Sequence, residues 1–316
     1  MFTKILKKTM EMVVTIFIAT IIIFVLIRLS PRDPVKIVMG NPEIAMTNTK
    51  EYDIRYEKMR EELNLDKSIS FQYISWIKRV LKFDFGKSIY TGRPVADEIK
   101  ERIPATVLLA IPSMILQCIL GISLGVISAV RHEKFTDQVI RFISVFFSSV
   151  PAFALGLMLL YYFGVHLKYY EVSNVANVSR LWLPVIVLGV ISSPSLIRVV
   201  RTNMLQEFGR DYISFGIARG LSKGDILKNA IKNIALPIIT ILALSFVSLL
   251  SGAVVIESIF TWPGMGRYAM ESILLNDYPV TQAYALFMTI MIVIINFFVD
   301  IIYTYANPKV KMGRGR

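Results

Sequence analysis

Few side chains in this sequence could do chemistry. His132 and His166 are the two histidines, and Cys118 is the one cysteine, among 316 residues. The histidines form neither an H-x-x-x-H nor an H-E-x-x-H pair, and one cysteine cannot build a thiolate cluster, so no metal centre is indicated. The sequence also lacks a G-x-x-x-x-G-K-[ST] pattern that could cradle nucleotide phosphates. We therefore expect a protein that is not an enzyme and that holds neither a metal nor a cofactor of its own.

The composition is typical of an integral membrane protein. Hydrophobic residues make up 54% of the chain, charged residues make up only 18%, and the mean hydropathy is +0.57. The apolar residues are gathered in runs of about 20 residues, which is the length of a helix that crosses a bilayer. The predicted spans are residues 10–29, 105–130, 142–165, 181–197, 236–256 and 283–303. The first run follows a basic start but has no cleavage site after it, so it predicts an uncleaved transmembrane helix.

The distribution of basic residues predicts which segments face the cytoplasm. The net charge is +12, and this whole excess lies in every second segment between the spans. The segments concerned are 1–9, 131–141, 198–235 and 304–316. Because Lys and Arg concentrate on the cytoplasmic side of membrane proteins, we expect both termini to lie inside the cell. Topology thus accounts for the basic charge, and a nucleic-acid partner is not indicated.

One stretch of the inner loop 198–235 is predicted to lie exposed at the membrane surface. The periodicity of its apolar residues predicts a short helix over 211–220. Gly220 then ends this helix, and Ser222 is placed to cap a second one that has an acidic residue in its first turn. The second helix leads to Pro237, where the chain re-enters the membrane. A short helix, a tight turn and a second helix suit docking into a groove on another protein.

This stretch resembles the EAA loop of ABC-importer permeases, in the form found in the peptide/nickel permease family. The family pattern runs roughly D-Y-(V/I)-x-x-A-R-A-x-G-L-S and ends R-N-A-x-x-P. The chain departs from it at Gly216-Ile217, where the family usually has Ala-Arg, and at Lys232, where it has Arg. The resemblance implies that the loop inserts into an ATPase subunit. The residues it assigns to ATPase coupling are Asp211, Tyr212, Ala218, Arg219, Gly220, Leu221, Ser222, Asn233 and Pro237.

The last predicted outer loop carries a second part of the same resemblance. It closely matches the family patterns E-x-(I/V)-F-x-W-P-G-(L/M/V)-G-R and D-(Y/F)-P-x-x-Q. Trp262 suits an interfacial anchor, and Pro263-Gly264 predicts a turn. Non-helical backbone at membrane depth is tolerated only where protein or a water-filled cavity covers it, so we expect this loop to line the outer mouth of a pathway. The expected gate or pathway residues are Glu257, Phe260, Trp262, Pro263, Gly264, Gly266, Asp277 and Pro279.

Residues 30–104 form a polar segment between the first two spans, which must then lie outside the cell. Two helices are expected in it, over 51–63 and 69–81. The run 83–88, Phe-Asp-Phe-Gly-Lys-Ser, also resembles the peptide/nickel permeases. The insert is compatible with a surface cap or with a docking platform for a substrate-binding protein and part of the outer gate. The resemblance favours the platform.

Small residues and prolines predict how the spans pack. Gly121 and Gly125 are four residues apart in the second span, which favours close approach of a neighbouring helix. Pro184 and Pro194 lie in the fourth span, where we expect neighbouring helices to satisfy the backbone carbonyls that they free.

The resemblance covers nearly the whole chain and implies a fold. It implies an all-α integral membrane protein with six transmembrane helices, of the type I ABC importer (MetI-like) permease fold. We divide the chain into the N-terminal segment and first span, the extracytoplasmic insert, and the permease core with its coupling loop 198–235. These segments are 1–29, 30–104 and 105–316. The implied location is the inner or plasma membrane of a bacterium or archaeon.

The function implied by the resemblance is that of a permease subunit forming half of an importer's transmembrane pathway. The implied partners are a homologous second permease, two ABC ATPase subunits that bind ATP and Mg²⁺, a substrate-binding protein and the lipid bilayer. The cargo is nickel, free or chelated, or di- and oligopeptides, and the short loop 166–180 leans towards nickel. The alternative, a self-sufficient secondary transporter or channel, predicts inverted repeats and mid-membrane ionisable residues, and we find neither.

Overall fold

The computed structural model describes residues 2–29, 34–39, 49–62 and 65–306, and these residues are mostly α-helical. The helices are α1 (Phe2–Arg28), α2 (Pro34–Met39), α3 (Thr49–Glu62), α4 (Ile69–Val80), α5 (Val95–Val130), α6 (Phe135–Ser149), α7 (Ala152–Leu160), α8 (Trp182–Phe208), α9 (Asp211–Ala218), α10 (Lys223–Asn233), α11 (Ala235–Ile259), α12 (Met265–Leu274) and α13 (Tyr278–Ala306). A π-helical turn follows α7, and a 3-10 turn precedes α8. The end of the predicted cytoplasmic C-terminus, 307–316, lies outside the described residues.

The predicted spans all fall on helices. Within the described residues, α1, α5, α8, α11 and α13 are each long and apolar enough to cross a membrane. The pair α6 and α7 makes a sixth span if the two are counted together. The all-α class is therefore confirmed. The two helices expected in the insert are present as α3 and α4, apart from residue 63, which the structure does not describe.

The predicted third span, 142–165, is present but is divided between two helices. The chain bends by 94° between α6 and α7. Val150 has extended backbone angles, because the ring of a following proline disfavours the helical conformation. Pro151 then occupies the N-cap of α7, where its missing N–H removes no intrahelical hydrogen bond.

The predicted fourth span, 181–197, is too short. Helix α8 has 27 residues and continues to Phe208, well into the predicted inner loop. The basic residues after Ile197 end the apolar run in the sequence, yet Val200 and Met204 continue the buried face of the helix. In the most apolar stretch of α8, 56% of the residues are buried, more than in any other candidate span of the described chain. This helix is therefore the core of the bundle around it.

A side chain of α8 itself, rather than a neighbouring helix, satisfies the carbonyl that its internal proline frees. Pro194 cannot donate to the carbonyl of Val190, and the hydroxyl of Ser193 donates to that oxygen instead, at 2.8 Å. Gln117 of α5 donates from Nε2 to the carbonyl of Ser192 at 3.0 Å. It also donates to the hydroxyl of Ser245 on α11 at 2.9 Å. One amide thus joins α5, α8 and α11 beside the proline.

Gly121 and Gly125 provide the close helix approach that the sequence predicts. A Cβ on Gly121 would overlap the side chain of Leu196 on α8, and one on Gly125 would lie 2.7 Å from Cβ of Val200. Real Cβ atoms do not approach this closely, so only glycine fits between α5 and α8 at these positions.

The chain divides into two compact units, each with its own core. The first comprises Met1–Ile103 and Tyr268–Ile294, and the second comprises Pro104–Arg267 and Ile295–Arg316. The core of the first unit is centred on Phe24, Trp76 and Leu286. The second unit holds the coupling loop and two larger apolar clusters that include α8.

Candidate functional site

The turn between α9 and α10 has the geometry that the sequence predicts. Gly220 has φ +80°, in the left-handed region that favours glycine. Its N–H donates to the carbonyl of Ile217 at 2.9 Å, and the N–H of Leu221 donates to Gly216 at 3.0 Å. This pair of bonds is the Schellman motif, which satisfies the last carbonyls of a helix. A Cβ on Gly216 would stand 3.0 Å from Cδ1 of Leu221, so the departure from the family's alanine relieves a tight contact.

Ser222 caps α10 as predicted. Its hydroxyl oxygen accepts a hydrogen bond from the backbone N–H of Asp225 at 3.1 Å, and it also donates to the Asp225 carboxylate at 2.6 Å. The carboxylate lies in the first turn, where its negative charge interacts favourably with the helix dipole. At the other end, α10 and α11 meet at Ile234. Pro237 lies in the first turn of α11, where its missing N–H has no helical partner to lose.

Tyr212 and Asn233, which the resemblance assigns to coupling, converge on a third residue that sequence reasoning did not single out. The buried Glu207, near the end of α8, accepts hydrogen bonds from the Tyr212 hydroxyl at 2.8 Å and from Asn233 Nδ2 at 3.1 Å. Asn233 also donates to the Tyr212 oxygen at 3.0 Å, and Arg210 pairs with the other carboxylate oxygen at 2.8 Å. We call Glu207, Tyr212 and Asn233 the Glu207 junction. It joins α8, α9 and α10.

Burial and the hydrogen bond to Glu207 raise the pKa of the Tyr212 phenol above its ordinary value. The phenol therefore stays protonated and continues to donate to the carboxylate. Because its hydroxyl is hydrogen-bonded within the chain, Tyr212 holds α9 in place and gives no evidence for contact with a partner.

The surface of α9 around the junction is exposed and partly apolar. Phe215 is 70% exposed and Ile217 is 61% exposed. The coupling residues Asp211 and Ala218 of this helix and Arg219 at its C-cap are also exposed. An isolated helix that presents large apolar side chains next to charged ones suits a groove on a partner protein. The structure thus separates residues that hold the element in place from those free to contact a partner.

Glu257 organises the loop after α11 in the second unit. Its side chain is fully buried. The carboxylate accepts hydrogen bonds from the hydroxyl of Thr106 at 2.7 Å and from the backbone N–H of Arg267 at 3.0 Å. Thr106 in turn accepts a bond from the N–H of Met265 at 2.8 Å. The carboxylate therefore ties the loop to α5 through one shared hydroxyl.

Two glycines, one in this loop and one at the start of α12, leave room for close contacts with α11. A Cβ on Gly264 would overlap the carboxylate of Glu257. A Cβ on Gly266 would stand 2.6 Å from Cα of Val254. The predicted turn at Pro263-Gly264 is present, since the N–H of Gly264 donates to the carbonyl of Trp262 at 2.8 Å.

Trp262 and Phe260 are core residues rather than exposed anchors. Both are 1% exposed. The indole of Trp262 donates to the carbonyl of Ala105 at 2.8 Å, and Phe260 packs edge-on against Tyr170 with ring centroids 5.5 Å apart. The expectation that Trp262 lies at the membrane interface as an anchor is therefore wrong, because its N–H finds a partner inside the protein.

Asp277 and Pro279 belong to the first unit, where they meet the 83–88 run of the insert. The carboxylate of Asp277 accepts hydrogen bonds from the Ser88 hydroxyl at 2.5 Å and from the backbone N–H of Ile89 at 3.2 Å. Pro279 lies beside Gly86, near enough that a Cβ there would touch its ring at 3.9 Å. Two segments that resemble the same family in sequence therefore form one structure.

Two further buried acids were not identified from the sequence. Asp137 is fully buried and accepts two hydrogen bonds from the guanidinium of Arg201, each at 2.8 Å, so α6 is fixed to α8. In the first unit, the carboxylate of Glu98 accepts a hydrogen bond from the Tyr268 hydroxyl, and the guanidinium of Arg102 lies 4.0 Å from the centre of the Tyr268 ring. The only feature of the sequence that could have identified either residue is an acidic side chain close to an apolar run.

Among the described residues, no group of three or more His, Cys, Asp or Glu side chains could hold a metal ion. The arrangement consists instead of fixed helix junctions and one exposed helix. Such an arrangement can transmit movement between a surface element and a helical bundle.

Comparison with known proteins agrees with this description. Residues 121–312 match the family described as "Binding-protein-dependent transport system inner membrane component", and residues 1–110 match the N-terminal family of the same membrane components. The chain is 32% identical over 312 residues to the glutathione transport system permease protein GsiC of Escherichia coli (strain K12), covering 98% of this chain and 99% of that protein. The same protein of Shigella dysenteriae serotype 1 is equally similar, with the same coverage.

A solved structure shares the fold. The chain matches a chain of the MetNI methionine ABC transporter in an inward facing conformation, with a TM-score of 0.55 and 16% identity. The match covers 66% of this chain and 96% of that one. The MetI-like fold predicted from the resemblance is therefore confirmed.

These matches decide between the classes left open by the sequence. The family consists of transport components that work with binding proteins and ATPases in a membrane, so a self-sufficient channel and an enzyme are both set aside. The chain belongs to the family of binding-protein-dependent transport system inner membrane components, as a multi-pass ABC-importer permease of the peptide/nickel type.

Proposed function

We propose that this chain forms half of the transmembrane pathway of an ATP-driven importer for glutathione and short peptides. The observation that carries the proposal is similarity along the whole chain to a glutathione transport permease, 32% identical over 98% of its length. A nickel cargo, towards which the sequence leaned, remains a competing prediction that the same experiment tests.

The complex in which the chain acts contains, in this proposal, a homologous second permease, two ATPase subunits and an extracytoplasmic substrate-binding protein. ATP and Mg²⁺ bind the ATPase subunits. The positive-inside pattern supports an inner-membrane topology with both termini in the cytoplasm. In that topology the exposed face of α9 lies on the ATPase side, and its apolar side chains suit an ATPase groove.

The coupling step is a conformational equilibrium biased by partners, with no covalent chemistry on this chain. ATP binding closes the ATPase subunits and moves α9. That movement reaches α11 through α10 and Pro237. The Glu207 junction gives it a second route, because Glu207 is part of α8 and hydrogen-bonds α9 and α10. The cavity between the two permeases then alternates between outward and inward access.

The test is uptake in cells that lack their own transport systems for the cargo and that express this chain with its partner subunits. Labelled glutathione, a labelled dipeptide and labelled nickel are compared. We expect glutathione or the dipeptide to accumulate and nickel not to. Uptake of nickel alone would overturn the peptide proposal.

Two variants control for coupling. Gly220→Asp puts a negative charge on the exposed turn that the loop presents to the ATPase, and it should abolish uptake. Gly224→Asp adds the same carboxylate in the first turn of α10, where nothing but Ser222 lies near, and should leave uptake intact. Uptake that survives Gly220→Asp would contradict the coupling role of this loop.

A further inference from the structure

We propose that α4, in the insert that the sequence predicts to be solvated, lies in the outer leaflet of the membrane, with Phe71, Ile74 and Leu81 against lipid acyl chains. Phe71 is 51% exposed, Ile74 is 50% exposed and Leu81 is 76% exposed. Their spacing places them along one side of the helix, with Lys78 between them. A solvated helix has no reason to expose such a stripe.

The opposite face of α4 shows how deep the helix lies. The hydroxyl of Tyr73 is 2.9 Å from that of Thr20 on α1. Thr20 precedes the end of α1 at Arg28 by eight residues, which is about 12 Å at 1.5 Å per residue. Because α1 is a candidate membrane span from Ile5 to Arg28, Tyr73 reaches the apolar part of the span and not a loop above it.

Trp76 gives a second measure of depth. It is buried against Phe24 of α1, with ring centroids 5.8 Å apart, in a cluster that includes Leu286 of α13. Leu286 follows the start of α13 at Tyr278 by eight residues, again about 12 Å along the helix. Thus α4 packs beside two candidate spans, at the depth typical of an interfacial amphipathic helix.

The charges of α4 and its surroundings favour lipid over a protein partner as the occupant. The helix has no acidic residue. Its exposed cations, Lys78 and Arg79, have long side chains that can reach the headgroups while their stems lie along the apolar region. Helix α1 also exposes apolar residues, such as Phe17 and Ile21, and these lie next to Thr20, the residue that contacts α4.

Such a membrane contact would also hold in place the loop that follows α4. Helix α4 leads directly into the loop whose Ser88 and Ile89 hold Asp277. Lipid packing on α4 therefore fixes one end of that loop. The inference does not depend on which cargo is transported.

The first test uses spin labels on the complex reconstituted in nanodiscs, with Cys118→Ser as the background. Labels at Phe71→Cys, Ile74→Cys and Leu81→Cys should collide several-fold more often with oxygen than with a water-soluble nickel chelate. Phe17→Cys on α1 is the lipid-facing reference, and the exposed Asp53→Cys on the charged helix α3 is the aqueous reference. Labels on α4 that behave like Asp53→Cys overturn the proposal. Labels shielded from both reagents also overturn it, because a protein partner would then cover the face.

A second measurement leaves α4 unchanged. The complex is reconstituted with a phospholipid that carries a photoactivatable group in its acyl chain, and the adducts are mapped by mass spectrometry. We expect adducts on residues 69–82 as well as on α1, and none on α3. Adducts on α1 without any on 69–82 would contradict the proposal even if a cysteine variant failed to assemble.

Discussion

The hydroxyl of Ser88 donates a 2.5 Å hydrogen bond to the carboxylate of Asp277, which lies 189 positions later in the chain. The backbone N–H groups of Ile89 and Tyr90 point at the same carboxylate, at 3.2 and 3.4 Å. Asp277 is 2% exposed, so these donors replace the water that a carboxylate would otherwise bind. One acid therefore holds the insert loop to the segment before α13.

Replacing this acid should loosen the loop. Asp277→Ala leaves the Ser88 hydroxyl and two N–H groups without their acceptor, and hydrogen bonds to a charged group contribute about 1.5–3 kcal/mol each. We expect a loss of at least about 3 kcal/mol in stability, the sum of two such bonds at the low end of that range, measured as a lower Tm of the purified complex in nanodiscs. Asp53→Ala, which removes an exposed acid in the same unit, is the matched control and should leave Tm unchanged. Equal effects of the two variants would show that the buried contacts do not stabilise the loop.

Local patterns predicted local structure well in this chain. The glycine break at Gly220 and the cap at Ser222 depend on neighbouring residues alone, and both are present. The bend at Pro151 also has a local cause, but the apolar run predicts only that a span is present and not how sharply it bends. The length of α8 was missed for the opposite reason, since charges interrupted a face that remains buried.

Contacts between distant residues could not be predicted in the same way. In the sequence, nothing distinguishes Glu207 from the other acids of a basic loop. The structure shows that it contacts Tyr212 and Asn233. Likewise, Trp262 looked like an interfacial anchor because the sequence does not show that Ala105 offers its carbonyl. The residues of the candidate site could thus be named from a family resemblance, but the partners that position them required coordinates.

Substitutions at Gly220 should be tolerated to the extent that the new residue can adopt a positive φ. Nothing lies within 4 Å of a Cβ built there, so a clash plays no part. Gly220→Ala forces an L-residue into the left-handed region, at a cost of about 1–2 kcal/mol. Asparagine enters this region more easily, so Gly220→Asn should retain more activity. The measurement is uptake together with ATP hydrolysis stimulated by the loaded binding protein. If the two variants lost activity equally, the side chain itself and not the backbone would be responsible.

The Glu207 junction should couple ATP hydrolysis to uptake. Glu207→Ala removes the acceptor that Tyr212 and Asn233 share and so disconnects α9 and α10 from α8. We expect ATP hydrolysis to continue while uptake falls, because α9 can still dock but no longer moves α8. Tyr212→Phe removes one donor and should give a smaller uncoupling. The ratio of ATP consumed to substrate imported is the readout.

Glu207→Gln separates position from charge at this junction. The amide keeps an oxygen that can accept from Asn233, so it should restore much of the coupling that Glu207→Ala loses. A complex in which Glu207→Ala loses hydrolysis and uptake in parallel would indicate that the junction serves only folding.

The buried carboxylate of Glu257 and the glycine at 264 should show strong non-additivity. Gly264→Ala alone places a methyl group where the carboxylate stands, and overpacking of this kind costs about 1–3 kcal/mol. Glu257→Ala alone leaves Thr106 and the N–H of Arg267 without their acceptor. In the double variant the carboxylate is gone, so the added methyl group should cost less than about 1 kcal/mol. Tm values of the four complexes in nanodiscs measure this cycle. Additive losses would mean that relaxation of the loop, and not the carboxylate, determines why position 264 needs a glycine.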